Sequence, residues 1–346
     1  MDRRTLVLML LAVACASGES SSRGAAADTA AARAAGDSGS GQVAAAPDSA
    51  AGDVATSGAG AGGTLAPNPQ GRIPVLEYHV IGGDKNTLYT RTVASYKADL
   101  EEAYKLGYRP VTIAQMLDKN WRELPPGTAP AVFVFDDASD SQFRYVERNG
   151  KLEIDPTSAV GIWLDFAKTH PGWKNRAVFC MLNGGAAGHN FFGDKPQFGG
   201  QKKEWRHQKV KWLADQGFEL CSHTLWHAKL NKYPDAVVQE QIARNVMGID
   251  SAVAGYKVRT LALPYGLWPK NRPLAWQGSW TDPKTKQTHS YKFDAVLEVA
   301  GGPTRSPYDP QFNPKSINRI EAIGTDISRH LNKLAKDGTR FVPPGK

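Results

Sequence analysis

Short apolar runs recur along the second part of this chain, and their order constrains the fold more than any other feature. They alternate with longer amphipathic or polar stretches that have the length of helices. A wholly apolar run between turn residues is typical of a strand buried on both faces of a parallel sheet. We therefore predict an α/β protein with a mainly parallel sheet, either open or closed into a barrel. The predicted strands lie within 73–80, 131–135, 176–182, 217–221, 258–263 and 293–299.

Helical periodicity separates several of these runs. Tyr96, Leu100 and Tyr104 are spaced four residues apart, which predicts an amphipathic helix over 94–106. Two further helices are predicted near 204–216 and 234–254.

The N-terminus has the order of an export signal. A basic pair at 3–4 precedes an apolar run over 6–14, which is too short to span a bilayer. Residues 12–15 (Ala-Val-Ala-Cys) resemble a bacterial lipobox, in which the cysteine is lipidated. We therefore predict a lipoprotein-type signal peptide over 1–15, with lipid on Cys15 anchoring an exported protein to the membrane of the bacterial cell envelope. The alternative is an ordinary secreted protein.

Residues 16–70 differ in composition from the rest of the chain. Ala, Gly and Ser fill 36 of these 55 positions, and no aromatic residue is present. So few large apolar side chains cannot offset the entropy lost on ordering the backbone. We predict a disordered, flexible linker here, followed by a globular domain over 71–346.

Composition excludes several classes of protein. Three cysteines are too few for a disulfide-rich scaffold or a multi-cysteine zinc cluster. Because the first 70 residues carry −2 of a total net charge of +8, the remainder carries +10. This charge is not gathered into a dense basic stripe or a nucleic-acid-binding motif, so we expect no nucleic-acid partner. We expect a monomer.

Two carboxylates follow the predicted strand 131–135 directly. Asp136 and Asp137 would repel each other and lose solvation at the end of a buried strand. A divalent cation bound to one of them would compensate for this, leaving the other free as a base. The alternative is a solvated turn that happens to contain two acids.

Two histidines follow the predicted strand 217–221. His223 and His227 are four residues apart, so on a helical turn both imidazoles would share a face and could hold one metal ion. Together with one carboxylate they would form a catalytic zinc site with open coordination positions. The alternative is a polar helix start with two unrelated histidines.

These segments, taken in order, resemble the polysaccharide deacetylase family with the NodB-homology domain, carbohydrate esterase family 4. The resemblance spans roughly 72–325. It rests on 74–79 (Pro-Val-Leu-Glu-Tyr-His), 135–137 (Phe-Asp-Asp), His223 with His227, 263–266 (Leu-Pro-Tyr-Gly) and 318–321 (Asn-Arg-Ile-Glu).

The resemblance implies a distorted β/α barrel with one divalent metal, usually Zn²⁺, acting on an acetylated polysaccharide. It assigns Asp137, His223 and His227 as metal ligands and Asp136 as the general base. The backbone N–H of Tyr265 would stabilise the oxyanion. Substrate contacts are expected at Pro264, Tyr265 and Trp226, although Trp226 can also be a core residue.

The chain departs from the family pattern at several positions. Ala262 replaces an arginine that pairs with the base in many members, and either Arg319 or Arg259 can substitute for it. The motif that supplies a general acid in many members is not evident. His330 is a weak candidate for that role, because its segment is typical of an ordinary surface helix.

Two further features stay open at this point. The segment 190–193 and Trp205 can either line a sugar cleft or form an irregular surface loop with buried aromatics. Cys180 and Cys221 end two strands expected to be neighbours; in an oxidising compartment they can pair, but adjacent parallel strands seldom offer disulfide geometry.

The leading functional hypothesis is a metal-dependent hydrolase that removes acetyl groups from an N-acetylated or O-acetylated polysaccharide. Two alternatives remain. One is a catalytically silent glycan-binding lipoprotein with the same fold, and the other is a metal-dependent amidase acting on a non-sugar amide, since the fold does not select the substrate.

Overall fold

A closed barrel of parallel strands forms the centre of the molecule. The computed structural model describes residues 64–184, 190–193 and 201–344. Within these residues seven parallel strands close into one ring, which confirms the predicted distorted β/α barrel. The strands are β1 (Val75–Tyr78), β2 (Ala129–Phe135), β3 (Val178–Met181), β4 (Glu219–Ser222), β5 (Thr260–Ala262), β6 (Ala295–Gly301) and β7 (Ile317–Glu321).

Each barrel strand pairs with the next one in the sequence. The ring closes because β1 pairs with β2 on one side and with β7 on the other, both in parallel. The short strand Tyr108–Pro110 lies outside the ring and pairs with the start of β2. All carboxyl ends of the barrel strands therefore meet at one mouth, where α/β barrels build their active sites.

Helices cover the outside of the barrel, and three of them match the predicted segments 94–106, 204–216 and 234–254. The sequence places an N-cap before three helices: Thr92 accepts a hydrogen bond from the Ser95 N–H, Thr112 from the Gln115 N–H, and Ser158 from the Gly161 N–H. Within the described residues the α-helices are α1 (Val93–Lys105), α2 (Ile113–Leu117), α3 (Ala159–Thr169), α4 (Trp205–Asp215), α5 (Asp235–Ala252) and α6 (Asp326–Lys336). None of the helices in the described part is long and apolar enough to cross a membrane.

Short strands and 3₁₀ turns lie outside the barrel ring. The antiparallel pair Gln277–Thr281 and Thr288–Lys292 forms a hairpin between β5 and β6. The other short strands are Arg72–Ile73, Val80–Ile81, Thr90–Arg91, Tyr145–Arg148, Lys151–Ile154 and Thr304–Arg305, and the 3₁₀ turns are Leu230–Lys232, Pro264–Gly266 and Arg272–Ala275.

Alternate residues along the barrel strands belong to two different apolar clusters. Residues of one parity, such as Val132 and Val134 of β2, form the smaller cluster, which fills the barrel. Residues of the other parity, such as Phe133 and Phe135, join the larger cluster beneath the helices. Strands buried on both faces explain why the sequence shows continuous apolar runs rather than alternation.

A disulfide links two neighbouring strands inside the barrel. Cys180 of β3 and Cys221 of β4 are direct partners in the parallel register, with Cα atoms 4.2 Å apart, and they are bonded. The structure thus answers the question that the sequence left open. Their side chains point to the same interior face from directly opposed positions, and this brings the sulfur atoms together.

The domain begins before the boundary expected from composition. The Leu65 N–H donates to the Gly127 carbonyl at 3.0 Å, and the Asn68 N–H donates to the Val342 carbonyl at 2.9 Å. The last residues assigned to the linker, 64–70, thus pack onto the domain. The predictions for 1–63, including Cys15, lie outside the described residues.

Candidate active site

Three side chains with metal-binding atoms converge at the carboxyl mouth of the barrel. Asp137 Oδ1 lies 3.4 Å from His223 Nε2 and 3.6 Å from His227 Nε2. The ligand atoms of this group all lie within 4.8 Å of one another. Two imidazoles and one carboxylate at this spacing can hold one divalent ion and leave coordination positions open.

The backbone orients His223 within this group. Its Nδ1 lies 2.9 Å from the Ala262 carbonyl oxygen, to which it donates when protonated, and Nε2 then faces Asp137. Among the described residues, His223 Nε2 and Asp137 Oδ1 are buried polar atoms without a hydrogen-bond partner. Orphaned atoms of this kind, with their lone pairs converging, are what a metal site presents before the ion is added.

A strained loop, and not a helix, positions His227. His223 directly follows β4, but helical structure resumes only in the short 3₁₀ turn Leu230–Lys232. The φ angles of Thr224 (68°) and His227 (62°) are left-handed. The expectation that the two histidines share a helical turn is therefore wrong, although their ring centroids are still 4.8 Å apart.

Left-handed backbone marks two other residues of the mouth. Asp137 has φ 76° and Tyr265 has φ 56°, both unusual for residues other than glycine. Such conformations persist only where the surrounding structure imposes them, and they cluster at functional sites. In Tyr265 the strain occurs where the Pro264–Gly266 turn follows β5, and its ring lies 4.3 Å from that of His227.

Arg319 is the ion-pair partner of Asp136. Its Nη1 donates to Asp136 Oδ2 at 2.8 Å, and both side chains are fully buried. Burial alone would raise the pKa of Asp136, but Arg319 and His223 lower it below its usual value. Of the two arginines proposed from the sequence, Arg259 is excluded, because it pairs with Asp118 and Asp294.

Glu77 and His79 complete the mouth and have no role in the sequence-based assignment. Their side chains lie 3.4 Å apart, and their ligand atoms group with those of Asp136 within 4.8 Å. Arg319 Nε, 3.3 Å from Glu77 Oε2, already supplies a positive charge to this group. Their position is the sequence feature that could have identified them. Glu77 lies on β1 and His79 just after it, and the neighbouring strand ends also carry candidate site residues.

Comparison with known proteins connects this geometry to a family. Residues 174–276 match a family model described as polysaccharide deacetylase. The matched region carries His223, His227 and Tyr265, so this part of the chain is similar to polysaccharide deacetylases. No curated protein matched it.

Solved structures share the fold of this chain. The deacetylase PplD of Streptococcus pyogenes, solved with acetate, is 15% identical with a TM-score of 0.52, over 76% of this chain and 98% of PplD. A polysaccharide deacetylase from Bacillus cereus is 15% identical with a TM-score of 0.51, covering 76% of this chain and 69% of that one. IcaB from Ammonifex degensii is 16% identical with a TM-score of 0.50, covering 76% and 96%.

A cleft of about 190 Å³ opens onto Asp136 and His223. Tyr265 lines one part of it and is half exposed, whereas Pro264 is buried and does not line it. Trp226 is exposed over 37% of its surface, so it is not a core residue. Trp226 is not among the residues that line this cleft.

The other sequence candidates lie away from the cleft. His330 is on α6 and does not line the cleft. Phe191 and Phe192 are fully buried, and Trp205 packs edge-on against Tyr145 with ring centroids 6.1 Å apart. Of the two interpretations of this segment, the structure favours buried aromatics over a sugar-contacting wall.

Proposed function

We propose that this chain is a metal-dependent hydrolase that removes acetyl groups from an N-acetylated or O-acetylated polysaccharide. The observation that carries the proposal is the convergence of Asp137, His223 and His227 beside the ion pair of Asp136 with Arg319. The first group suits a cation, and the second keeps a carboxylate ionised within reach of it. Both features are needed for hydrolysis by an activated water molecule.

The donor set fits Zn²⁺ best. Two imidazole nitrogens and one carboxylate oxygen are the ligand types of catalytic zinc, and the buried atoms without partners support this assignment. Burial and the neighbouring His223 lower the pKa of His227 to about 4, so that His227 is neutral and able to ligate near pH 7. When bound, the ion supplies Lewis-acid polarisation of the carbonyl and a lowered pKa for water.

Asp136 acts as the general base in this proposal. Arg319 holds one carboxylate oxygen, whereas Oδ1 is buried without a hydrogen-bond partner among the described residues. That free oxygen takes the proton of the attacking water. The Tyr265 N–H, presented by a left-handed residue beside His227, donates to the developing oxyanion.

His79 is the proton donor that we assign to the leaving group. Its imidazole lines the cleft together with Asp136 and lies 3.4 Å from the Glu77 carboxylate. Burial lowers the pKa of His79, so it is mostly neutral near pH 7; to act as the donor it must take up a proton during the reaction, and its protonated form is then a strong acid. Departure of an amine or alkoxide needs a proton from a group on this side of the cleft.

The decisive experiment is acetate release by the purified, zinc-loaded full chain across a panel of acetylated glycans. We expect release that chelation abolishes and zinc restores. A chain that binds glycans with zinc present but releases no acetate would instead be the silent glycan-binding protein. Activity on non-sugar amides alone would identify the amidase.

The place of action is part of the proposal. An export signal followed by a lipidated Cys15 and a flexible linker would hold the enzyme at a bacterial cell envelope, where acetylated polysaccharides are found. We propose a membrane-anchored, monomeric enzyme, with secretion as the alternative.

A further inference from the structure

The rim of the cleft carries exposed apolar side chains that the chemistry does not use. Leu88 and Tyr89 line the cleft beside His79, and they are exposed over 50% and 55% of their surface. The large apolar side chains that are exposed in the described part of the chain are Leu88, Tyr89, Trp226, Tyr233 and Tyr265. Three of these five line this single cleft, and a concentration of this kind marks a binding surface.

The Tyr89 ring is held in place although it is exposed. Its carbonyl accepts a hydrogen bond from the Val80 N–H at 3.0 Å, and its ring packs edge-on against His79 with centroids 5.3 Å apart. Two residues later, Arg91 is buried in a two-point ion pair with Asp99, at 2.5 and 2.8 Å. The ring is therefore presented to solvent by an anchored segment.

Glu321 supplies a polar group on the same rim. Its side chain lines the cleft at the end of β7, and no hydrogen bond or ion pair to it is found among the described residues. Burial raises its pKa, while the nearby Arg319 lowers it. A partly desolvated carboxylate without a partner favours a ligand that donates hydrogen bonds.

The size of the cleft limits what it can enclose. Its volume of about 190 Å³ is below the ~300 Å³ at which pockets begin to enclose whole drug-sized ligands. A single sugar unit with its acetyl group is the largest part of a glycan that such a space can receive. The next unit of the chain must then lie on the rim.

We propose that Leu88, Tyr89 and Glu321 form a subsite for the sugar unit adjacent to the acetylated one. The apolar face of that sugar packs on the Tyr89 ring, and a hydroxyl or ammonium group of the same sugar donates to Glu321. This inference rests on the proposed function, because the occupant is a glycan.

The charges around the subsite narrow its ligand. Glu321 faces the same cleft as Glu77 and Asp136, and Arg319 pairs with those two acids, so Glu321 has no ion-pair partner of its own among the described residues. A neighbouring sugar that carries a carboxylate would be repelled, whereas a neutral sugar or one with a free amine would be accepted. The subsite therefore selects a neutral or amino-bearing chain over an acidic one.

Binding measurements test the subsite independently of turnover. Isothermal titration calorimetry on the zinc-loaded full chain would use a hexosamine tetrasaccharide and the corresponding monosaccharide. We expect Tyr89→Ala and Glu321→Gln each to weaken tetrasaccharide binding by about tenfold, the scale of one contact to an aromatic ring or charged group. Tyr89→Phe keeps the ring and should bind within about twofold of wild type.

Matched controls lie outside the cleft. Tyr233→Ala removes another exposed tyrosine, and Glu153→Gln removes another exposed carboxylate; both should bind the tetrasaccharide like wild type. If Tyr89→Ala and Glu321→Gln also bind like wild type, or wild type does not prefer the tetrasaccharide, the subsite is wrong. If they lose binding while wild type releases no acetate, the subsite stands and the proposed hydrolysis fails.

A charge series tests the selectivity. Wild type should bind a tetrasaccharide containing hexuronate units about tenfold more weakly than neutral or amino-bearing tetrasaccharides, and Glu321→Gln should narrow this difference. Equal binding of the acidic and neutral chains to wild type would overturn the assigned role of Glu321.

Discussion

Arg319 Nη1 lies 2.8 Å from Asp136 Oδ2, although 183 residues separate them and β1 runs between their strands. The same guanidinium places Nε 3.3 Å from Glu77 Oε2 and also donates to the Glu298 carbonyl. One buried cation thus serves two buried carboxylates. It supplies Asp136 with the positive charge that the family resemblance places at position 262, where this chain has Ala262.

Removing this cation should cost both stability and activity. Arg319→Met leaves Asp136 and Glu77 buried without a counter-ion, so the free energy of unfolding should fall by about 3–5 kcal/mol in urea titrations. Arg259→Met is the control, since its ion pairs are partly exposed and its loss should cost less, about 1 kcal/mol. Equal losses in the two variants would contradict the assigned pairing.

The pH profile should report the same contact. Arg319 lowers the pKa of Asp136 against the effect of burial, so Arg319→Lys, with its looser single-point contact, should let this pKa rise. A base with a raised pKa is protonated at higher pH. The acidic limb of the kcat/KM profile should therefore move to higher pH. If the limb does not move, the group that titrates in the kinetics is not Asp136.

Replacing Asp136 should reduce turnover without removing the metal. Asp136→Asn should keep the bound metal but lose activity by roughly 10²–10⁴-fold, the usual effect of removing a general base. Elemental analysis and acetate release on the same preparation check both parts. Full activity in Asp136→Asn would mean that another group is the base.

His227→Ala should lose bound metal and activity together, because the group retains only two ligands. His227 is about a quarter exposed, so the fold should survive, as circular dichroism can verify. Stoichiometric zinc in the purified variant, measured by elemental analysis, would rule out the site as described.

The internal disulfide should stabilise the barrel without taking part in catalysis. Joining Cys180 to Cys221 closes a separation of 41 residues, which corresponds to about 4 kcal/mol in the chain-entropy model. Urea unfolding of wild type should therefore shift to lower urea after reduction by dithiothreitol. The Cys180→Ala/Cys221→Ala variant should unfold at the same urea concentration with and without the reductant.

A further prediction concerns the lipid anchor at Cys15. Leu65 bonds to Gly127 just before β2 begins, whereas Asp136 follows the end of β2. Leu65, close to the first described residue, therefore lies at the end of β2 opposite the mouth. We expect wild type to fractionate with membranes and Cys15→Ser to escape lipid processing; soluble wild type without lipid on mass spectrometry would refute the anchor.

The sequence by itself predicted six of the seven barrel strands, the helices α1, α4 and α5, and most of the proposed site residues. Apolar runs fix buried parallel strands because both faces of each strand need apolar partners. Polar residues directly after those runs must then gather at one mouth, since parallel strands end on the same side. Asp136, Asp137 and His223 were predictable from this rule alone.

Only the tertiary structure decided which distant residues meet. Arg319 and Arg259 are equivalent as sequence candidates, and barrel closure between β1 and β7 brings only the first to Asp136. His227 reaches the site through left-handed backbone that no local pattern encodes, and Cys180 meets Cys221 because the strand register sets them opposite each other. Spacing along a chain sets local periodicity, but contacts between strands depend on register and closure, which arise only when the whole barrel packs.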